Sequence, residues 1–194
     1  MTGLVAYLKK CDTLEEATAI REPCLATARH GQPWSGLVDC DLTREITPMK
    51  ALLFVCSGNA GRSPAAQYLA QQYIDNHNLP IEARSRGTNV RDHTMPDAQL
   101  LTALPAAKSH VPTSLDEAAI EWADLILTMN RQHKQIVTTM VPSATNKTYC
   151  LYEYAEGTAA AVADPGDYGQ AEYENFLEEM KRLVQLSVSK FTTP

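Results

Sequence analysis

The chain has 194 residues, of which 44% are hydrophobic and 21% are charged, and its formal net charge is −6. This composition is ordinary for a globular protein and excludes a collagen, a coiled coil and a disordered chain. The negative charge argues against general affinity for nucleic acid or for an anionic membrane. The sequence has no apolar run of membrane-spanning length and no secretory signal pattern, so we expect a cytoplasmic protein.

The chain contains five cysteines, an odd number, and no Cys-x-x-Cys pair. This count and spacing argue against a disulfide framework and against a zinc knuckle, because both need paired cysteines. No cluster of His, Cys and Asp has the spacing of metal ligands, so we expect neither a metal nor a cofactor.

Residues 1–49 precede the regular pattern of the chain and differ from it. Helical spacing predicts one short helix over 14–22 and a second that begins at Pro23, and the HGQP run at 30–33 predicts its end. We interpret this segment as a short helical N-terminal extension of unassigned function. Residues 50–194 are then a separate folded domain.

From residue 50 onward, short apolar runs alternate with stretches of helical spacing. Ser63 and Pro64 suit the cap and first turn of a helix, and the four residues from Ser114 have capping-box spacing. Strands separated by helices imply an α/β fold, a parallel sheet covered on both faces. The strands are predicted at 51–55, 81–85, 124–129 and 148–151, and the helices from 63, at 96–104, from 114, at 130–140 and at 168–190.

One spacing carries most of the chemical information. Cys56 and Arg62 flank five residues, two of them glycine, between the first strand and the helix at Ser63. Such a loop curls so that several backbone N–H groups point at one centre, and the helix adds the positive end of its dipole. Arg62 would bind two oxygens of a tetrahedral dianion, with Cys56 beneath the phosphorus. The same field stabilises a thiolate, which the Ser63 hydroxyl would also stabilise.

Two other interpretations of this loop fit less well. Residues 61–63 echo the end of a nucleotide-binding P-loop, but that motif needs a glycine in place of Cys56 and a lysine in place of Arg62. A buried cysteine at the end of a strand is a common structural feature. The arginine six residues later and the glycines between them favour a reactive cysteine.

The segment FVCSGNAGRSP at 54–64 resembles the signature of the low-molecular-weight protein tyrosine phosphatases. The resemblance extends over about residues 50–190 and includes SRGT at 85–88, DLILTMN at 124–130 and the Asp164-Pro165 pair. It implies a four-stranded parallel sheet of order 2-1-3-4. It also implies hydrolysis of phosphate monoesters on protein through a phosphocysteine intermediate.

The resemblance assigns roles that this chemistry requires. Cys56 is the nucleophile, and Arg62 binds phosphate and stabilises the transition state. Asp164 is first the acid for the leaving group and then the base for the attacking water. An aspartate before proline is otherwise a common turn residue, and the cysteine loop favours catalysis here.

Further residues match supporting positions of the family. Asn59 and Ser85 correspond to residues that brace the loop by hydrogen bonds. His110 falls at the position of a supporting histidine, although an ordinary surface histidine fits that position nearly as well. The rest of the phosphate-binding loop consists of Ser57, Gly58, Ala60, Gly61 and Ser63.

The chain departs from the family pattern at three points. Gly61 stands where many members carry a second cysteine, so a protective disulfide there is impossible and irreversible oxidation of the nucleophile is favoured. Ala60 replaces the bulky aliphatic residue of tyrosine-specific members; a threonine there resembles the protein-arginine phosphatase branch, and alanine is smaller still. Gly166 and Asp167 follow the Asp-Pro pair in place of aromatic residues, with Tyr168 one step later.

The family resemblance makes phosphotyrosine on protein the expected substrate, and the small Ala60 makes phosphoarginine the alternative on the same fold. Arsenate reduction would need a resolving thiol near Cys56, and the loop supplies none. A non-catalytic phosphate-binding module would need neither the thiolate nor Asp164. The sequence leaves the oligomeric state open.

Overall fold

A computed structural model of the protein describes residues 49–166 and 169–193. The helices predicted in the N-terminal extension lie outside the described residues, as does Tyr168. Within the described part, parallel strands form one sheet of order β2-β1-β3-β4, which confirms the predicted fold class. The strands are β1 Lys50–Cys56, β2 Ile81–Gly87, β3 Leu125–Thr128 and β4 Thr148–Cys150.

Helices cover both faces of this sheet. Short 3₁₀ turns at Pro105–Ser109 and Pro142–Lys147 complete the connections. None of the helices described is long and apolar enough to cross a bilayer. The helices are α1 Arg62–Asn76, α2 Ala98–Ala103, α3 Glu117–Trp122, α4 Arg131–Met140, α5 Leu151–Glu156 and α6 Gln170–Thr192.

The central strand β1 is apolar on both faces because both faces are covered. Leu52 and Phe54 belong to the core under α1 and α6, whereas Leu53 and Val55 belong to the core under α3 and α4. All four side chains are fully buried. Burial of each such side chain stabilises the fold by about 1.5–3 kcal/mol, so β1 is anchored on both sides. The loop that follows it therefore starts from a rigid point.

Two predicted helix caps were wrong. Helix α1 begins at Arg62 with Gly61 as its N-cap, and Ser63 lies inside the first turn, fully buried. Helix α3 is capped by Asp116, whose carboxylate accepts the Ala119 N–H at 2.8 Å. Ser114 instead forms an isolated bridge beside the end of β2. The Ser63 hydroxyl contacts Cys56 and Asn59, whereas the backbone around Ser114 pairs with the end of β2. In each case another residue serves as the cap.

Strand β4 is shorter than predicted, and α5 was not predicted from the sequence. The helix starts directly after Cys150, whose N–H donates to the Glu153 carboxylate at 3.0 Å. It ends at Gly157, which adopts the left-handed conformation at φ 73°. A glutamate at the third position and a glycine beyond the end are ordinary helix signals, and they were present in the sequence.

The end of β2 approaches the loop after β1 so closely that only glycine fits. A Cβ atom on Gly87 would lie 2.6 Å from the Ser57 carbonyl oxygen and 2.9 Å from the Asn59 nitrogen. Real side chains do not make such contacts with backbone atoms, so Gly87 sets the distance between the two segments.

We expect Gly87→Ala to destabilise the domain by about 1–3 kcal/mol, because the added methyl group must push the loop away. Chemical denaturation measures this change in the free energy of unfolding. Gly58→Ala is the matched control, since a Cβ there meets nothing within 4 Å. Equal stability of the two variants would contradict the close-approach argument.

Candidate active site

The loop over residues 56–62, called the Cys56 loop below, connects β1 to α1 at the carboxyl end of the sheet. Residue Cys56 is 3% exposed, and its Sγ lies 3.0 Å from Ser63 Oγ in the first turn of α1. This contact explains why Ser63 is not a helix cap: its hydroxyl faces the sulfur. A hydroxyl at this distance stabilises a thiolate by donating a hydrogen bond to it.

The peptide groups of the loop are oriented by the segments that flank it. The carbonyls of Cys56 and Ser57 accept hydrogen bonds from Thr88 and Asn89, both at 2.9 Å, and that of Ala60 accepts one from Asp97 at 3.0 Å. In a trans peptide the N–H points opposite to the C=O. The N–H groups that follow these carbonyls therefore face away from the flanking segments, on the side of the loop that lines a cavity.

This cavity has a volume of about 230 Å³. The loop forms one wall, and Asp97 and residues 164–166 form the other. The structure thus brings together Cys56, Arg62 and Asp164, which lie far apart in the chain. Its size and donors suit a phosphoryl group.

Asn59 holds the loop from beneath. It is fully buried, with a left-handed backbone at φ 52°. Its amide nitrogen donates to Ser63 Oγ at 3.0 Å and to Ser85 Oγ at 2.9 Å, and its side-chain oxygen accepts the Thr113 N–H at 2.9 Å. Asparagine tolerates the left-handed region better than most residues, so Asn59 permits the turn. Its side chain also forms the hydrogen bonds that hold the turn in place.

Ser85 and His110 complete this support. Ser85 Oγ donates to Gln67 at 2.6 Å, and His110 Nε2 donates to the Asn59 carbonyl at 2.9 Å. Burial lowers the pKa of His110, the hydrogen bond to Asn59 opposes this effect, and the Arg86 charge adds to it. The neutral imidazole still carries the one N–H that this contact requires.

Arg62 and Asp164 form an ion pair across the cavity, with Nη2 and Oδ2 2.6 Å apart. The Arg62 side chain is 11% exposed, whereas that of Asp164 is 66% exposed. Arg62 is therefore built into the wall of the cavity, while Asp164 lies at its open mouth.

Two residues at the site were missed by sequence reasoning. Asp97 caps α2 through Gln99 N–H at 3.1 Å and lines the cavity. His133 Nε2 lies 2.8 Å from Ser57 Oγ. Burial and the Arg62 charge lower the pKa of His133 to about 4, and the Asp164 charge opposes them.

The predicted topology contained a signal for His133. His133 lies in the first turn after β3, and β3 pairs with β1, so their carboxyl ends share one edge of the sheet. No comparable signal connects Asp97 with the Cys56 loop.

The family model of the low molecular weight phosphotyrosine protein phosphatases matches residues 51–190 of the chain. A protein-arginine-phosphatase of Bacillus subtilis is 31% identical over 137 residues, which are 69% of this chain and 91% of that protein. The low molecular weight protein-tyrosine-phosphatase PtpB of Staphylococcus aureus is 30% identical over 136 residues, 69% of this chain and 93% of that one.

Solved structures show the same likeness. A mutant of YwlE from Bacillus subtilis superposes with a TM-score of 0.69 at 28% identity, over 74% of this chain and 99% of that one. A low molecular weight protein tyrosine phosphatase from T. tengcongensis gives a TM-score of 0.67 at 26% identity, over 73% and 99% of the two chains.

We expect Asn59→Ala to cost about 2–4 kcal/mol of stability, because Ser85 Oγ and the Thr113 N–H lose a buried partner and alanine disfavours the left-handed turn. Urea denaturation measures this loss. Asn76→Ala, at the exposed end of α1, is the matched control and should change stability by less than about 0.5 kcal/mol. A loss at position 59 no larger than the control's would show that the loop does not depend on Asn59.

Proposed function

Since the chain belongs to the low molecular weight phosphotyrosine protein phosphatase family, we propose that Cys56, Arg62 and Asp164 carry out its reaction. Members of this family are cysteine-dependent phosphatases, and the chain is such a hydrolase. The observation that carries the assignment of residues is the arrangement of the buried thiol, the guanidinium and the exposed carboxylate around one cavity.

In the first step the Cys56 thiolate attacks the phosphorus of the bound substrate. Asp164, displaced from Arg62 by the substrate, takes up a proton as the Cys56 thiol loses one. A sulfur–phosphorus bond forms as the bond to the leaving group breaks, and Asp164 transfers its proton to that group. Arg62, freed from its ion pair with Asp164, binds two phosphoryl oxygens, and the loop N–H groups bind the charge that builds up. The products are phosphocysteine and the dephosphorylated side chain.

In the second step water attacks the phosphocysteine. Asp164, now a carboxylate, takes a proton from the water as the oxygen–phosphorus bond forms. The sulfur–phosphorus bond breaks, and Ser63 donates a hydrogen bond to the departing thiolate. Inorganic phosphate leaves, and the enzyme returns to its starting state without a metal or a cofactor.

Phosphotyrosine on protein is the substrate that the family description and the Staphylococcus aureus relative support. A second candidate is phosphoarginine, which the name of the Bacillus subtilis relative suggests. The small Ala60 on the cavity wall favours this candidate, because it leaves room that a bulky aliphatic residue would fill. Among the described residues, Cys56 is the only cysteine that lines this cavity.

We extend this proposal to the whole chain. Residues 50–194 are the catalytic unit, residues 1–49 are an extension of unassigned role, and the enzyme acts on phosphorylated proteins in the cytoplasm.

Phosphate release in the presence of EDTA tests the proposal with two peptides, one phosphotyrosine and one phosphoarginine. The wild type should turn over at least one of them, and Cys56→Ser should reduce the rate about a thousandfold or more, because serine is a far weaker nucleophile. Cys150→Ser, at a buried cysteine outside the cavity, is the control and should keep full activity. Activity retained in Cys56→Ser would refute the proposal, and the better peptide identifies the substrate.

Gly61→Cys should protect the enzyme against peroxide. A Cβ at position 61 meets only Asp97 at 3.4 Å and beyond, an ordinary contact, so the cysteine fits. Oxidised Cys56 would then form a disulfide that a thiol reduces, whereas in the wild type the sulfenic acid proceeds to irreversible forms. We expect thiol to restore most activity in the variant and little in the wild type. Equal recovery would show that position 61 does not control oxidation.

A further inference from the structure

We propose that His133 is a positioning residue of this phosphatase site. Its imidazole donates a hydrogen bond to Ser57 Oγ and so turns the Ser57 hydroxyl proton toward an oxygen of the bound phosphoryl group. The inference rests on the proposed function, because it concerns the same cavity.

The place of His133 is fixed by the backbone. Its N–H donates to Asn130 Oδ1 at 2.9 Å, which holds it in the first turn of α4. The side chain is buried, with 3% of the residue exposed. Its Nε2 lies 2.8 Å from Ser57 Oγ, so the imidazole contacts the Cys56 loop through a single polar atom.

The other ring nitrogen decides which atom carries the proton. Among the described residues, Nδ1 of His133 has no hydrogen-bond partner and no contact with solvent. A buried N–H without an acceptor is more costly and rarer than a buried lone pair without a donor. The neutral ring therefore keeps its proton on Nε2, where Ser57 Oγ accepts it.

The charge state of the ring is set by the site around it. Burial and the nearby Arg62 guanidinium disfavour the imidazolium, and they lower the pKa to about 4 although Asp164 opposes them. At neutral pH the ring is thus uncharged and has one N–H. It cannot compete with Arg62 for the phosphoryl group and acts only on Ser57.

Ser57 then has one proton left to donate. Its Oγ accepts from His133 and has no other protein partner among the described residues. Ser57 lines the cavity together with Cys56 and Arg62. A substrate would bring phosphoryl oxygens, which are charged acceptors, into this cavity, so the hydroxyl is a donor that is already oriented when substrate binds.

The test compares His133→Leu, which removes the donor, with His133→Gln, which retains an N–H near the position of Nε2. We expect the leucine variant and Ser57→Ala each to weaken the binding of inorganic phosphate about tenfold in calorimetric titrations, which is typical for one hydrogen bond to a charged group. The kcat/KM should fall by a similar factor. The glutamine variant should recover most of the phosphate affinity and most of kcat/KM. The double variant of His133→Leu and Ser57→Ala should lose no more phosphate affinity than either single variant.

Val137→Ala is the matched control, because Val137 is a fully buried residue of the same helix that belongs to the apolar core under α3 and α4 and does not line the cavity. It should lower the melting temperature and leave phosphate affinity and kcat/KM unchanged. If the leucine variant behaves like this control, or if the losses of the single variants add up, the role of His133 is structural and the proposal is overturned.

Nitrogen NMR of the wild-type imidazole tests the tautomer without any substitution. We expect a protonated Nε2 and a bare Nδ1 from pH 5.5 to pH 8, and a proton on Nδ1 would overturn the proposal. The NMR measurement also tests the proposal if the His133→Leu variant does not fold. Because calorimetry and NMR need no turnover, a failure of the proposed phosphatase activity remains distinguishable from a failure of the role of His133.

Discussion

The buried hydrogen bonds of Asn59 are the interaction on which the rest of the site depends. One side chain binds the first turn of α1, the inner face of β2 and the segment after His110, while its own backbone takes the left-handed turn. Most side chains of this loop are short and can bury little apolar surface, so these hydrogen bonds contribute to its order. Backbone N–H groups can converge on a dianion only if the loop is rigid before the ligand arrives.

The second constraint is electrostatic. A chain of net charge −6 must attract an anion, and it does so locally, with the start of α1, the loop N–H groups and Arg62 directed at one cavity. Asp164 forms an ion pair with Arg62, and burial together with the Arg62 charge lowers the pKa of His133 so that it stays uncharged at neutral pH. The site thus concentrates positive potential over a few ångströms without making the protein basic.

The sequence predicted the fold well where the pattern was local. The apolar run of β1, the loop spacing from Cys56 to Arg62 and the alternation of strands with helices all lie in contiguous segments, and the sheet order that the resemblance implied is confirmed. Predictions failed at Ser63 and at Ser114, where local cap chemistry lost to tertiary contacts. The residues proposed for catalysis were identified by a motif and by resemblance, because spacing alone does not show that position 164 reaches position 62.

By itself, the sequence determined the class of fold and the chemistry of one loop, because a cysteine, glycines and an arginine between a strand and a helix have few other uses. Only the tertiary structure decided which distant groups meet that loop. Asp97 and His133 enter the site because α2 packs beside the loop and because β3 lies next to β1. Such contacts join residues separated by tens of positions. Their energy comes from packing between elements, which no local pattern encodes.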